Sequence, residues 1–269
     1  MIVDYHMHLR QPEGRYSTDR AEQYVAQARR AGVHEIGFTD HVYHFRQTEA
    51  LWAIPWMLER CTDDFDDYVG AVQEAKGRGL PVKLGLEVDF FPGIERELSG
   101  LLEPYPWDFL LGSVHFVDGF AVDQEPGLVH RIPVGEAWRR YFVWLRGAAR
   151  SGLFDCLSHP DLIKFFGMRA SDEERHYLHV ETADAIEAAG VCVEVSTAGL
   201  YKPVGELYPD RELLAACCER GVPITLASDA HEPSHVGRDL DRAVALAREV
   251  GYETVTVFEG RARRQEPLG

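Results

Sequence analysis

Residues 2–8 read IVDYHMH, and residues 224–231 read ITLASDAH. Each is a short apolar run that ends in side chains able to bind a metal. Side chains alternate faces along a strand, so Asp4, His6 and His8 are expected to point one way and Val3, Tyr5 and Met7 the other. Two imidazoles on one strand face can chelate one ion or two neighbouring ions. The later run ends on Asp229 and His231 at the same spacing. Either pair alone says little, because an isolated H-x-H also describes a polar strand face.

Working outward from these runs, further strand-like stretches occur at 34–40 (HEIGFTD), 82–88 (VKLGLEV), 107–115 (WDFLLGSVH), 154–159 (FDCLSH) and 191–197 (VCVEVST). An eighth is expected at 254–260 (TVTVFEG). Helical patterns fill 18–32, 65–79, 135–152, 171–190, 210–221 and 239–251, each ending on Gly as a left-handed cap prefers. Such alternation implies parallel strands joined by crossover helices. Seven or eight units point to a closed or nearly closed α/β barrel. No Pro/Gly/Ser-rich linker divides the chain, so residues 1–269 are expected to form a single barrel domain. Two long irregular stretches, 42–64 and 117–133, are expected to act as lids or substrate contacts.

A formal charge of −16 argues against nucleic-acid binding, which needs Lys and Arg to replace phosphate counterions. It leaves a phosphorylated small molecule open, because bound cations can dominate the local field. No apolar run approaches the roughly 20 residues of a membrane span, and the start lacks a basic segment followed by an apolar stretch. Five cysteines without a C-x-x-C pattern fit reduced thiols in a cytoplasmic protein.

The chemistry lies in where the polar residues fall. His41 follows the second strand, Glu87 ends the third, His115 the fourth and His159 the fifth; Asp229 and His231 end a later one. In a barrel these ends converge on one mouth, where catalytic groups collect. Imidazole plus carboxylate without thiolate suits zinc, manganese or iron, and Glu87 is placed to bridge two ions. Two or three ions a few ångströms apart can activate a shared water and clamp phosphoryl oxygens, which favours phosphate-ester hydrolysis. His176 and His179 share a helix face and are expected to be exposed, and no Ser sits in a nucleophile elbow.

In order along the chain, DYHMH, FTDH, GLEVDF, LGSVHF, SHPDL, STAGL and SDAH resemble the PHP (polymerase and histidinol phosphatase) family, specifically its histidinol phosphatase branch. The resemblance implies a distorted TIM-like (β/α)7 barrel with its metal site at the C-terminal strand ends. It also implies two or three divalent ions (Zn, Mn or Fe) and hydrolysis of L-histidinol phosphate to L-histidinol and inorganic phosphate. Carried over, His6, His8, Glu87 and Asp229 would hold one ion, Glu87, His115 and His159 a second, and His41 and His231 a third. Asp40 would orient a ligand. Asp229 and His231 would assist the leaving group. The loop after the first strand, LRQPEGRYSTD, lacks the histidine the family usually supplies there; Glu13 and His44 are candidates to replace it. Lys164, Arg169 and Lys202 are the candidate phosphate contacts, with Tyr201 standing where relatives often carry Arg.

Three other readings share parts of this pattern. A PHP phosphoesterase for a nucleotide or sugar phosphate would keep the chemistry and change the substrate. A metal-dependent amidohydrolase would need a bridging carboxylated Lys in place of Glu87. A non-catalytic barrel would show an eroded ligand set.

Overall fold

A computed structural model describes residues 1–269. Seven parallel strands lie side by side in chain order: β1 (Val3–Asp4), β2 (Glu35–Phe38), β3 (Val82–Asp89), β4 (Phe109–Ser113), β5 (Cys156–Leu157), β6 (Cys192–Ser196) and β7 (Ile224–Ala227). The last returns to the first. Tyr5 N–H donates to the Leu226 carbonyl at 3.0 Å, Ala230 N–H to His6 at 3.2 Å, and His8 N–H to Ala230 at 2.8 Å. The result is the distorted, nearly closed (β/α)7 barrel that the alternation and the resemblance implied.

The helices are α1 (Thr18–Arg30), α2 (Pro55–Leu58), α3 (Phe65–Gly77), α4 (Glu95–Leu102), α5 (Val134–Arg150), α6 (Asp172–Ala189), α7 (Arg211–Glu219) and α8 (Leu240–Val250). Side chains of Ser17, Asp64, Ser171 and Asp210 accept backbone N–H groups at the starts of α1, α3, α6 and α7, satisfying donors the helix itself leaves free. On α1, Ala21, Tyr24, Val25 and Ala28 form the buried stripe at helical spacing. The α6 helix stops at Gly190, whose φ of 69° is the left-handed cap expected there. α4 and the short α2 were not anticipated from the sequence.

Regular pairing is shorter than the sequence runs suggested, above all at β1 and β5. The chain leaves the ladder at the rim because side chains take over the backbone donors. Met7 N–H donates to Thr39 Oγ1 at 3.2 Å, Ser228 N–H to Asp4 Oδ1 at 2.8 Å and His159 N–H to Glu194 Oε1 at 3.2 Å. One consequence corrects the expected strand face. Asp4 turns to Ser228 and Gly237, while His6 and His8 face Glu87 and Asp229.

The expected eighth barrel strand is not one. Residues Thr254–Glu259 (β8) pair antiparallel with Ala262–Pro267 (β9) in a separate two-stranded sheet. The two-residue turn Gly260–Arg261 has both φ values positive (53° and 66°), the conformation that matches hairpin twist. This hairpin buries Val255, Val257 and Phe258. Phe258 stacks on Phe109 at 5.3 Å and meets Tyr5 at 5.8 Å, so three aromatic rings gather at the end of the barrel away from the mouth.

That aromatic cluster explains two glycines. A Cβ at Gly37 or at Gly85 would lie 2.7 Å from the Phe109 ring. Gly85→Ala is expected to lower stability by about 1–3 kcal/mol through overpacking, read as a lower urea midpoint. Gly100→Ala, on α4 with no neighbour near the added methyl, should leave the midpoint unchanged or raise it.

Candidate metal centre

Each barrel segment delivers its polar residue to one rim. His6 and His8 come just past β1, His41 past β2, Glu87 from β3, His115 past β4, His159 past β5, and Asp229 and His231 past β7. Glu87 is fully buried and stands between two groups of imidazoles. Its Oε2 lies 2.6 Å from His41 Nδ1, 3.3 Å from His6 Nε2 and 3.9 Å from His8 Nε2. Its Oε1 lies 3.0 Å from His159 Nε2 and 3.3 Å from His115 Nε2, and accepts the Ser113 hydroxyl at 2.7 Å. Asp229 Oδ1 is 3.2 Å from His8 Nε2 and 3.7 Å from His6 Nε2. Three overlapping sets bring one donor atom per residue within 4.8 Å of one another: His6, His8, Glu87; His41, Glu87, His115; and His8, His41, His231.

Several donors meet at the centre without bonding to one another: His6 Nε2, His41 Nδ1 and Glu87 Oε2 are buried without a hydrogen-bond partner. His8 and His159 bond Asp229 and Glu87 through Nε2 and leave Nδ1 buried and unbonded. His41 Nδ1 sits close to Glu87 Oε2 yet lacks hydrogen-bond geometry. Four carboxylates, Glu87, Asp89, Glu194 and Asp229, meet only histidine as a basic partner; no Lys or Arg lies within 4.0 Å of them. Buried charge of this kind is stable only when paired or bound to metal. This donor set fits divalent cations.

The electrostatics follow from the same packing. Burial opposes the Glu87 charge, but His41, His6 and His115 together hold its carboxyl well below the usual range. Burial also opposes ionised Asp229, and His6 and His8 overcome it in the same way. His6 is resisted by burial but raised overall by Glu194, Glu87 and Asp229. His115, likewise penalised by burial, is pushed up to about 10 by Asp89 and Glu87. Burial drives His41 down to about 4.

Two strained backbones serve the rim. His159 and Asp229 have φ values of 23° and 52°, in the left-handed region that non-glycine residues seldom enter. Such strain clusters at functional sites.

Three supporting residues escaped the sequence reading. Glu194 Oε2 lies 2.8 Å from His6 Nδ1, while its other oxygen accepts His159 N–H. Asp89 Oδ1 lies 2.9 Å from His115 Nδ1, and Ser113 holds Glu87. Carboxylates of this type fix the tautomer and aim of a ligating imidazole. A lone Glu inside the apolar run VCVEVS was the available signal for Glu194, and period-two spacing from Glu87 was that for Asp89. Asp40 does orient the rim, but through the backbone: it accepts Leu9 N–H at 2.8 Å and Arg10 N–H at 3.0 Å, just past His8.

A cavity of about 110 Å³ opens over the centre, lined by His41, Glu87, His115, Asp229 and His231 together with Tyr43, Trp56, Phe116, Asp123, Gln124 and Lys202. The two long loops thus supply its walls. Of the three candidate phosphate contacts and the neighbouring Tyr201, Lys202 lines this cavity. Lys164 is instead fully buried, bonded to Asp161 and the Leu207 carbonyl at 2.7 Å each. Arg169 pairs with Glu206 at 2.6 Å, and Tyr201 is exposed with its hydroxyl on Asp239. Glu13 is exposed beside Arg15 and lines neither of the two cavities at the centre. His44 is close to His41, at 5.8 Å between rings, and shares a second cavity with His8, His41 and His231. His179 is buried rather than exposed, packed on Phe142 with its Nδ1 3.4 Å from Glu212.

Residues 4–198 match the family model described as the PHP domain. The chain belongs to the PHP domain family. A Deinococcus radiodurans protein named "Probable histidinol-phosphatase" is 38% identical over 269 residues, covering 99% of each chain. Bacillus subtilis histidinol-phosphatase is 26% identical over 82% of this chain and 90% of its own. The fold is also that of the Lactococcus lactis histidinol phosphate phosphatase crystallised with zinc, L-histidinol and phosphate (TM-score 0.77, 20% identity, 98% of each chain). With Glu87 in the central position and no lysine within reach of it, the amidohydrolase alternative loses its bridging group.

Glu194→Gln is expected to weaken metal binding about 10–100-fold without unfolding the barrel. Competition with a chromophoric chelator measures this, and circular dichroism checks the fold.

Proposed function

We infer that this protein is a metal-dependent phosphomonoesterase that hydrolyses L-histidinol phosphate to L-histidinol and inorganic phosphate, a step of histidine biosynthesis. The observation that carries the chemistry is Glu87, buried with one oxygen toward His6, His8 and His41 and the other toward His115 and His159. The observation that carries the substrate is the full-length 38% identity to a relative named for that activity.

In this reading His6, His8, Glu87 and Asp229 hold one divalent ion, and Glu87, His115 and His159 a second. His41 and His231 hold a third, with His8 beside them. The ions are two or three, of zinc, manganese or iron, all of which accept imidazole and carboxylate. When bound they polarise the phosphoryl oxygens and lower the pKa of water. The chain's residues do the rest. Glu194 and Asp89 keep the lone pairs of His6 and His115 aimed at the centre. Lys202 stands where it can meet a phosphoryl oxygen. Asp229 and His231, at the mouth, assist the departing alkoxide, with ionised Asp229 accepting a hydrogen bond from the solvent molecule whose proton the alkoxide takes. Tyr43, Trp56 and Phe116 keep the far wall dry.

Residues 1–269 act as one unit in this reading, with a small phosphate ester as the ligand and no nucleic acid. No helix is long and apolar enough to cross a membrane. All five cysteines are free, which suits a cytoplasmic enzyme.

Glu87→Ala is expected to lower kcat/KM for L-histidinol phosphate by at least about 10³-fold, the scale of losing a preorganised charge-stabilising group, with the fold retained by circular dichroism. Chelator stripping should likewise abolish turnover, and added zinc, manganese or iron should restore it. Wild-type rates in the variant or in stripped protein would contradict the assignment.

A further inference from the structure

The cavity over the centre contains a charge that the hydrolytic chemistry does not use. Asp123 lines it, and its Oδ1 is buried without any hydrogen-bond partner. No Lys, Arg or His lies within ion-pair distance of it. Burial raises the Asp123 carboxyl although His115, His159 and Lys202 face it from beyond ion-pair distance, so a carboxylate with one enclosed, unbonded oxygen is stabilised by a closer cationic partner.

The fold invests several contacts in placing it. Past β4 the chain turns back through a small hairpin, with Phe116–Val117 pairing antiparallel to Phe120–Ala121. Val122 N–H then donates to the His115 carbonyl at 2.8 Å, which returns Asp123 to the rim. The Arg131 guanidinium sits 4.8 Å over the Phe120 ring and steadies the hairpin from outside.

The rest of that cavity is aromatic. Tyr43 and Trp56 meet edge to face at 5.1 Å, and Trp56 meets Phe116 at 5.7 Å. Trp56 is held on its other side by the Arg60 guanidinium, 3.7 Å from the ring. These rings offer flat apolar area and π faces that also attract cations. One small chamber therefore presents a phosphate-directed side (the histidines and Lys202) and a side made of aromatic rings and one unpaired carboxylate.

We propose that Asp123 is the specificity-determining residue of this site. It pairs with the protonated primary amine of an amino-alkyl phosphate ester, while the Tyr43–Trp56–Phe116 wall takes the ester's flat heteroaromatic ring. The assignment rests on the phosphomonoesterase reading above and selects among substrates within it. Inorganic phosphate and esters without an amine gain nothing from Asp123. A nucleotide or sugar phosphate, which carries no ammonium group, leaves the carboxylate unpaired and is disfavoured for that reason.

The test compares wild-type enzyme with Asp123→Asn on three esters: L-histidinol phosphate, its analogue lacking the amine, and p-nitrophenyl phosphate. Loss of a charge-assisted bond is expected to raise KM for L-histidinol phosphate about tenfold or more. Its kcat, the KM values of the two amine-free esters and the bound metal content should stay as in wild type. As a measurement on the unaltered protein, L-histidinol should inhibit at lower concentration than the alcohol lacking the amine. A parallel KM rise for all three esters, loss of metal from Asp123→Asn, or equal inhibition by the two alcohols overturns the assignment. A wild-type preference for L-histidinol phosphate that survives in Asp123→Asn overturns it alone. Wild-type enzyme with no such preference, while still hydrolysing p-nitrophenyl phosphate, overturns the substrate reading as well.

Discussion

The buried carboxylate of Glu87 is the interaction on which the rest of the centre depends. Removed from solvent and given no Lys or Arg, it is costly unless positive charge is supplied from elsewhere. Histidines converge on each of its oxygens, several with donor atoms that bond to nothing in the protein. A side chain merely packed into a barrel would satisfy its polar atoms internally. Here the protein leaves them open and close together, an arrangement that becomes favourable when cations fill the space.

The barrel makes that convergence possible by ending its ladders early. Seven parallel strands bring their C-terminal ends to one rim, but short pairing at β1 and β5 lets the chain bend there. Asp4, Asp40 and Glu194 accept the released backbone N–H groups, and so act as fasteners for the segments that carry His6, His8, His159 and Asp229. At the opposite end Phe109, Phe258 and Tyr5 fill the interior, and Gly37 and Gly85 give way to them. The floor is closely packed while the mouth carries strain, a division common to barrel enzymes.

Much of this architecture could be read from the sequence because it follows from periodicity and spacing. Parallel strands alternating with Gly-capped helices, and polar residues at strand ends, are local patterns. TVTVFEG looked like one more barrel strand, since a lone β-branched run does not reveal whether its partner is a barrel neighbour or the hairpin arm that follows. Glu194 and Asp89 were missed because second carboxylates declare themselves only once the imidazoles they support have a direction. His179 was expected in solvent, yet packing of α6 on α5 buries it; its helix carries apolar and polar residues on nearly every face, so no clear stripe marks the inner side. Lys164 sits in a motif that suggested phosphate contact, but Asp161, three residues earlier, takes its ammonium group inside the fold.

The central claim is that cations on both sides of Glu87 complete this site. Anomalous diffraction from crystals of the metal-loaded protein, collected at the absorption edge of the ion found by elemental analysis, tests this most directly. Peaks flanking the Glu87 carboxylate, one within bonding distance of His6 and another of His115 and His159, are the expected result. Crystals of fully active protein with no anomalous peak within bonding distance of Glu87 would contradict it.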